Sequence, residues 1–97
     1  MKVLVVGSGG REHAIAWKLK QSKNVDKIFI APGNPGTAQL GSNVAIDVND
    51  ISAMVNFAKD NKIQLAVIGP EDPLAAGMAD AFEQAGIMAF GPSAAAA

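Results

Sequence analysis

The sequence predicts an α/β fold, an open parallel sheet of about four strands with helices on both faces. Short apolar runs alternate along the chain with segments of helical periodicity, and each main run ends in glycine or proline. Helical segments of about a dozen residues between strands indicate βαβ units. Right-handed crossovers in such units require parallel strands covered on both sides.

The first strand and helix follow from the apolar pattern near the N-terminus. Val3–Val6 is a mostly β-branched run, typical of a strand that is buried on both faces, and Gly7 ends it. A helix is predicted over about Arg11–Ser22, where Ile15 and Leu19 are four residues apart and lysines occupy other positions.

The middle of the chain predicts a second strand at Lys27–Ala31, with a short extra strand considered at Val44–Ile46. The second helix opens at Asn49 or Asp50, because either side chain can accept hydrogen bonds from free amides at a helix start. Apolar residues then follow at the i, i+3, i+4 and i+7 positions of an amphipathic helix.

The last predicted elements are two strands joined by a helix. The strands are Gln64–Ile68 and Ile87–Phe90. The helix between them has Asp72 as its N-cap and Pro73 as its first residue, and Gly86 ends it in a left-handed conformation.

Composition and charge exclude several functional classes. The 97 residues suffice for one small domain, and 49% apolar against 18% charged residues is too hydrophobic for a disordered segment. A net charge of -1 gives no bulk positive field, so neither nucleic acid nor a membrane surface is predicted as a partner. Without cysteine there is no disulfide framework or thiolate metal site, and a cytoplasmic location is predicted.

Ligands of open α/β sheets bind outside the carboxyl ends of the strands, where the strand order reverses. For a strand order of 2-1-3-4, that crevice lies between the loops Ser8–Glu12 and Pro70–Pro73. Glycines in the first loop let the backbone approach a ligand, and amides at a helix start favour an anion such as phosphate. The alternative is a tight strand-to-helix turn that binds nothing.

A dinucleotide fingerprint is not supported. Gly7 and Gly9 fit its first two glycines, but Glu12 stands at the third. The second strand ends in Ala31 and Pro32, with no acid for ribose hydroxyls. A phosphate-binding loop of the Walker type also requires a Lys-Ser or Lys-Thr pair after the glycines, which the chain lacks.

Several side chains near the crevice have two interpretations. Glu12 and Glu71 could accept hydrogen bonds from sugar hydroxyls or an amine, or be solvated surface acids. Arg11 could pair with a phosphate or be an exposed cation. His13 could be a general base, although a single histidine beside Trp17 is more often structural, and Trp17 itself is predicted to pack in the core or at its flank.

Four motifs together resemble the N-terminal domain of the glycinamide ribonucleotide synthetase family, also called phosphoribosylamine–glycine ligase. They are Gly7-Ser8-Gly9-Gly10-Arg11-Glu12-His13-Ala14, Ala31-Pro32-Gly33-Asn34-Pro35-Gly36-Thr37, Gly69-Pro70-Glu71-Asp72-Pro73-Leu74 and Phe90-Gly91-Pro92-Ser93. The resemblance covers essentially the whole chain, and no motif position departs from the family pattern.

The resemblance implies a Rossmann-like, pre-ATP-grasp fold and a role in purine biosynthesis. Members of the family join 5-phosphoribosylamine to glycine with ATP hydrolysis, through a glycyl phosphate. ATP and Mg (or Mn) are bound by a downstream ATP-grasp domain that this chain lacks, so the fragment alone is expected to be inactive, with no catalytic or metal-binding residue. The expected phosphoribosylamine-binding residues are Gly9, Gly10, Arg11, Glu12, Pro32, Gly33, Asn34, Pro70 and Glu71.

Within that site we expect Glu12 and Glu71 to hold the ribose, with the phosphate bound mainly by cations elsewhere in the full enzyme. Residues 1–93 are interpreted as the substrate-binding domain. Residues 94–97, all alanine, are interpreted as the start of a following helix. The alternatives are an NAD-binding oxidoreductase domain, a non-catalytic α/β module, and the pre-ATP-grasp domain of another carboxylate–amine ligase.

Overall fold

The computed structural model describes residues 1–69 and 77–91. The elements are β1 (Lys2–Gly7), α1 (Gly10–Lys20), β2 (Lys27–Pro32), a 3-10 turn (Thr37–Gln39), β3 (Ser42–Asn43), α2 (Ile51–Asp60), β4 (Leu65–Ile68), α3 (Met78–Gln84) and β5 (Met88–Phe90). The strands form one parallel sheet in the order β3-β2-β1-β4-β5. The predicted open parallel sheet is confirmed, with one strand more than expected.

The central strand β1 explains the continuous apolar run near the N-terminus. Residues Val3–Val6 are fully buried, because β2 and β4 flank the strand and helices cover both of its faces. Val5 is paired with Ile30 on one side and Val67 on the other. A strand in this position has no solvent-exposed face, so its sequence need not alternate between apolar and polar residues.

The helices divide between the two faces of the sheet, as the sequence predicts. On one face, Ala16 of α1 packs with Val3 and Val5. On the other face, Met54 of α2 and Phe82 of α3 are fully buried against Leu4, Val6 and their neighbours. α1 connects the end of β1 to the start of β2, and α2 connects the end of β3 to the start of β4. Because the strands are parallel, both helices start at the end of the sheet where the strands terminate.

Asp50, rather than Asn49, caps α2. Its carboxylate accepts a hydrogen bond from the amide of Ala53 at 3.1 Å. The helix buries Met54 and Ala58, the two members of its apolar stripe that lie nearest the sheet. Both the start of the helix and its buried face therefore follow from the sequence.

The short extra strand is displaced from its predicted position. Hydrogen-bonded pairing covers Ser42–Asn43, and the predicted Val44–Ile46 strand is wrong. The amide of Val44 still donates to the Ile30 oxygen at 2.8 Å, but Ile46 donates to the oxygen of Val44 at 2.8 Å. That local hydrogen bond closes a tight turn and takes the chain away from the sheet.

The third helix is interrupted relative to the prediction. Gly77 has a φ of 93° and directly precedes α3, so no single helix runs through this position. The predicted cap at Asp72 and Pro73 lies outside the described residues, as do Ala94–Ala97. Gly86 has a φ of 81°, which confirms the predicted left-handed end.

Trp17 does not pack as predicted. Its side chain is 54% exposed on α1, so its assignment to the core or its flank is wrong. It lies one turn from His13 and one turn from Lys20, whose ammonium donates to the Gln39 oxygen. This stripe of α1 faces the loop after β2 instead of the sheet.

Each helix in the described part of the chain is too short or too polar to span a lipid bilayer.

Candidate ligand-binding rim

The ends of β1, β2 and β4 lie side by side and form what we call the rim, made of Gly7–Glu12, Pro32–Asn34 and Gly69. Gly7 is paired with Pro32 in the sheet, and Val6 is paired with Ile68. From β1 the chain passes to β2 on one side, and it later returns to β4 on the other. The strand order therefore reverses at β1, which is where open α/β sheets bind ligands.

Glu12 turns into the protein at the start of α1. Its side chain is only 6% exposed, and Oε2 accepts a hydrogen bond from the amide of Gly9 at 3.0 Å. A glutamate in the third position of a helix commonly bonds back to the N-cap amide in this way. The carboxylate thus fixes the conformation of the glycine loop from within.

Two glycines provide the space for that carboxylate. A Cβ atom at Gly69 would lie 1.9 Å from Glu12 Oε1, and one at Gly7 would lie 2.4 Å from Glu12 Cγ. Both distances are far below contact, so Glu12 occupies a slot between the ends of β1 and β4. We call Gly7, Gly9, Glu12 and Gly69 the Glu12 slot. The slot explains how a side chain replaces the third glycine of the dinucleotide fingerprint without separating helix and sheet.

Arg11 joins the start of α1 to the end of β4. Its side chain is exposed, and Nη1 donates to the Gly69 oxygen at 3.1 Å. A guanidinium carries five donor hydrogens, so this contact leaves further donors for a ligand. Arg11 therefore has a structural role that neither interpretation included, because it connects the start of α1 to the end of β4. Both phosphate binding and exposure to solvent remain compatible with this contact.

Asn34 attaches the loop after β2 to the loop after β1. Its side-chain nitrogen donates to the Ser8 oxygen at 2.7 Å, and its Oδ1 accepts from the Thr37 amide at 2.9 Å. The amide of Gly33 adds a hydrogen bond to the Gly7 oxygen at 3.0 Å. The structure therefore brings together two loops that the sequence could only assign to the same edge.

A buried threonine organises the loop from below. Thr37 is fully buried, and its Oγ1 accepts from the Asn34 amide at 2.8 Å. The same oxygen lies 2.8 Å from Asn43 Oδ1 and 2.9 Å from the Asn34 oxygen, to one of which it donates its proton. Asn43 Nδ2 donates to the Asn34 oxygen at 2.8 Å.

Gly33 completes this arrangement, which we call the Asn34 network (Gly33, Asn34, Thr37 and Asn43). Its φ of 77° favours glycine, and a Cβ atom there would lie 2.1 Å from Asn43 Oδ1. Sequence reasoning missed Thr37 and Asn43 as parts of the site. Thr37 had a signal in the motif that ends with it, whereas the polar pair Ser42–Asn43 had none.

The remaining predicted residues have varied surroundings. Gly9 and Gly10 are exposed, and a Cβ atom at Gly10 would meet no atom within 4 Å. His13 is half-buried, and a Cβ atom at Gly36 would lie 3.0 Å from its Cδ2, so the ring packs against the loop after β2. That contact favours the structural interpretation of His13. Pro70 and Glu71 lie outside the described residues.

No group of three histidine, cysteine, aspartate or glutamate side chains among residues 1–69 and 77–91 is placed to hold a metal ion. The described rim offers mainly backbone amides, one guanidinium, one carboxylate and one carboxamide. These groups suit a ligand that combines an anion with hydroxyl groups. They give no set of ligands for Mg²⁺.

Known proteins match this chain over its full length. Residues 1–97 match the family described as phosphoribosylglycinamide synthetase, N domain. A phosphoribosylamine–glycine ligase from Rhodopirellula baltica is 56% identical over 94 residues, which are 97% of this chain and 22% of the relative. Ligases with the same name from Agrobacterium fabrum and Escherichia coli K12 are 57% and 56% identical over the whole chain, and the match covers 23% of each.

Proposed function

The chain belongs to the phosphoribosylglycinamide synthetase family as its N domain, and on that premise we propose that the longer protein is an ATP-dependent ligase. It joins 5-phosphoribosylamine to glycine in purine biosynthesis and produces glycinamide ribonucleotide. This chain spans less than a quarter of the length of the relatives it matches, and we propose that it forms one wall of the phosphoribosylamine site.

The observation that carries this proposal is the joining of three strand ends at the reversal point of the sheet. Asn34 bonds to Ser8, Arg11 bonds to Gly69, and Glu12 lies between Gly7 and Gly69. Each contact links two different loops, so the rim is a connected surface. A preorganised surface binds a small ligand without the cost of ordering separate loops.

We assign the ribose to the Glu12 side of the rim. Among the described residues, the Gly9 amide donates to Oε2 of Glu12, and no donor is bonded to Oε1. In the proposed complex, Oε1 accepts a hydrogen bond from a ribose hydroxyl. Glu71, which lies outside the described residues, accepts a second one from the opposite loop. Gly10 and Arg11 lie in the first turn of α1, whose amides lack partners within the helix and suit an anionic group.

The phosphate is bound mainly by cations from the rest of the longer protein. In this proposal ATP, Mg²⁺ (or Mn²⁺) and glycine bind in a downstream ATP-grasp domain of the longer protein. The metal and nucleotide would supply charge stabilisation for phosphoryl transfer. The rim residues orient the amine-bearing sugar toward that centre, and this chain by itself is inactive. A cytoplasmic location agrees with the absence of cysteine from the 97 residues.

The first test is the reaction of the full-length protein. Release of ADP should require 5-phosphoribosylamine and glycine together, and glycinamide ribonucleotide should form in equal amount. Release of ADP with a different carboxylate or amine in place of these substrates would favour another ligase of the same superfamily. Tight binding of NADH to the rim would favour the oxidoreductase alternative.

The second test separates the rim from the nucleotide site. Replacement Asn34→Ala in the full-length enzyme removes the bond to Ser8 and should raise KM for 5-phosphoribosylamine about tenfold, with KM for ATP changed less than about twofold. Asn56→Ala, on the exposed surface of α2, is the matched control and should change neither. Equal increases in both constants for Asn34→Ala would contradict the placement of phosphoribosylamine on this rim.

A further inference from the structure

The start of α1 contacts the loops on both of its sides through two adjacent side chains. Glu12 turns toward the end of β4 and enters the Glu12 slot, whereas His13 turns toward the loop after β2. Consecutive residues of a helix point about 100° apart, so neighbours in the sequence can reach different loops. His13 lies in the first turn of the helix, where its amide donates to the Gly9 oxygen at 3.1 Å.

The ring of His13 lies directly against Gly36. A Cβ atom at Gly36 would lie 3.0 Å from Cδ2 of the ring and 3.2 Å from Nε2. The backbone of Gly36 has a φ of -70° and a ψ of -40°, which any residue can adopt. Glycine at this position is therefore explained by space and not by conformation. The ring occupies the volume that a side chain at residue 36 would need.

This contact reaches the Asn34 network from the side of α1. Gly36 directly precedes Thr37, and a Cβ atom at Gly36 would also lie 3.2 Å from Oδ1 of Asn34. The hydrogen bonds that join Asn34 to Thr37 and Asn43 lie within the loop and β3, and none of them involves α1. The His13 ring lies between the helix and the turn, so it sets the distance between them.

That distance matters for the bond that Asn34 makes across the rim. Nδ2 of Asn34 donates to the Ser8 oxygen at 2.7 Å. A hydrogen bond of this kind is lost when donor and acceptor are about 3.6 Å apart, so a shift of the loop by about 1 Å would break it. At the far end of the loop, the bond from Lys20 Nζ to the Gln39 oxygen is exposed and 3.3 Å long, and it lies away from Asn34.

We infer that His13 is a positioning residue for phosphoribosylamine, because its ring holds the loop after β2 against α1 and so keeps Asn34 bonded to Ser8. The inference rests on the proposed placement of phosphoribosylamine on the rim. The ring atom nearest to the Cβ position of Gly36 is the carbon Cδ2, so the contact is one of shape. A neutral side chain of similar length should therefore replace the ring.

The test uses three variants of the full-length enzyme. His13→Ala leaves space beside Gly36 and should raise KM for 5-phosphoribosylamine about fivefold, with kcat and KM for ATP changed less than about twofold. His13→Gln fills that space with an uncharged side chain and should stay within about twofold of the wild type in all three constants. Lys18→Ala, exposed on the same helix, is the matched control and should change none of them.

The Gln variant separates this role from general-base catalysis. Loss of a general base lowers kcat by about a hundredfold or more, and neither Ala nor Gln can act as a base. A fall of that size in kcat for both variants would overturn the inference in favour of a catalytic histidine. An unchanged KM for 5-phosphoribosylamine in His13→Ala would also overturn it, because the role of the ring would then be purely structural.

A double-mutant cycle tests whether His13 acts through Asn34. Asn34→Ala already removes the bond to Ser8, so adding His13→Ala should raise KM for 5-phosphoribosylamine less than about twofold further. Independent effects that multiply would overturn the inference. If Asn34→Ala raises this KM and His13→Ala does not, only the role of His13 fails. If neither substitution raises it, the placement of phosphoribosylamine on the rim fails as well.

Hydrogen exchange provides a readout in the loop itself. In His13→Ala, peptides that cover residues 33–41 should exchange at least about threefold faster than in the wild type, whereas peptides from α2 should be unchanged. A higher KM for 5-phosphoribosylamine without faster exchange in the loop would mean that His13 acts on the substrate by another route, and this result would overturn the inference.

Discussion

The Glu12 slot and the Asn34 network lie side by side at the rim but solve different physical problems. The slot accommodates one ionisable side chain in space that two glycines leave empty, with one hydrogen bond to Gly9. The network is built from uncharged groups, and its fully buried hydroxyl on Thr37 has partners within 2.9 Å. The slot therefore depends on available volume, whereas the network depends on backbone conformation and complete hydrogen bonding.

The largest effect should come from Gly33→Ala, which disturbs the network in two ways. The new side chain must adopt a φ of 77°, and its Cβ atom would lie 2.1 Å from Asn43 Oδ1. Left-handed strain and overpacking together should lower the free energy of unfolding by about 3 kcal/mol. Urea denaturation measures this change.

The double variant Gly33→Ala with Asn43→Ala separates the two causes. Removing the Asn43 amide relieves the shorter contact but leaves the strain and the approach of the new Cβ atom to Thr37 Oγ1 at 2.8 Å, and it also removes hydrogen bonds. The double variant should thus stay at least about 1 kcal/mol less stable than the wild type. Full recovery of stability would show that neither the backbone conformation of Gly33 nor the remaining approach to Thr37 carries a cost.

The next largest effect should come from Gly69→Ala, which acts on the slot by volume alone. The φ of Gly69 is not in the left-handed range, but its Cβ atom would lie 1.9 Å from Glu12 Oε1 and 2.9 Å from Glu12 Cγ. Glu12 must then leave the slot and lose its bond to Gly9, and we expect a loss of about 2 kcal/mol.

A second change should rescue this variant, in contrast to Gly33→Ala. Glu12→Ala empties the slot, so Gly69→Ala added to it should cost less than about 0.5 kcal/mol more. The double-mutant cycle from urea denaturation gives the coupling energy. Independent, additive effects of the two substitutions would mean that Glu12 does not occupy the slot.

A smaller effect is expected from Thr37→Val, which keeps the shape of the network but removes its hydroxyl. The amide of Asn34 would lose its acceptor, and one of two oxygens, Asn43 Oδ1 or the Asn34 carbonyl, would lose its donor at a fully buried position. The expected loss of stability is about 1.5 kcal/mol. Thr37→Ser keeps the hydroxyl and loses the γ-methyl group, so it should be more stable than Thr37→Val. A Ser variant less stable than the Val variant would show that packing by the methyl group outweighs the hydrogen bonds of the hydroxyl.

The contrast between the two regions also indicates what the sequence could predict. The buried run of β1 and the capped, amphipathic α2 each depend on neighbouring residues, so their patterns were sufficient. The contact of Glu12 with Gly69 joins residues distant in the chain, and only the parallel pairing of β1 with β4 brings them together. The motif glycines were recognised as loop residues, but their role as space for a side chain required the fold.

The same reasoning explains the predictions that were wrong. β3 is a two-residue polar strand, Ser42–Asn43, whose position follows from hydrogen bonding to β2 and from Asn43 joining the network. No apolar pattern marks this strand, whereas the apolar residues Val44–Ile46 that follow it do match a strand pattern, so the strand is predicted there. Similarly, Trp17 is aromatic and is therefore expected to pack, but Ala16 is the residue that α1 buries against the sheet, and Trp17 is 54% exposed.

The smallest effect should come from Gly10→Ala. This variant is a control that tests whether every glycine at the rim is there because a side chain would clash with its neighbours. A Cβ atom at Gly10 meets no atom within 4 Å, and Gly10 is the first residue of α1, where alanine is preferred over glycine. Stability should rise by about 0.5 kcal/mol, since alanine has less backbone freedom in the unfolded chain. If KM for 5-phosphoribosylamine increases in the full-length enzyme while stability rises, Gly10 is open because the ligand approaches its backbone there. A loss of stability would instead mean that this glycine, like Gly69, has a structural role.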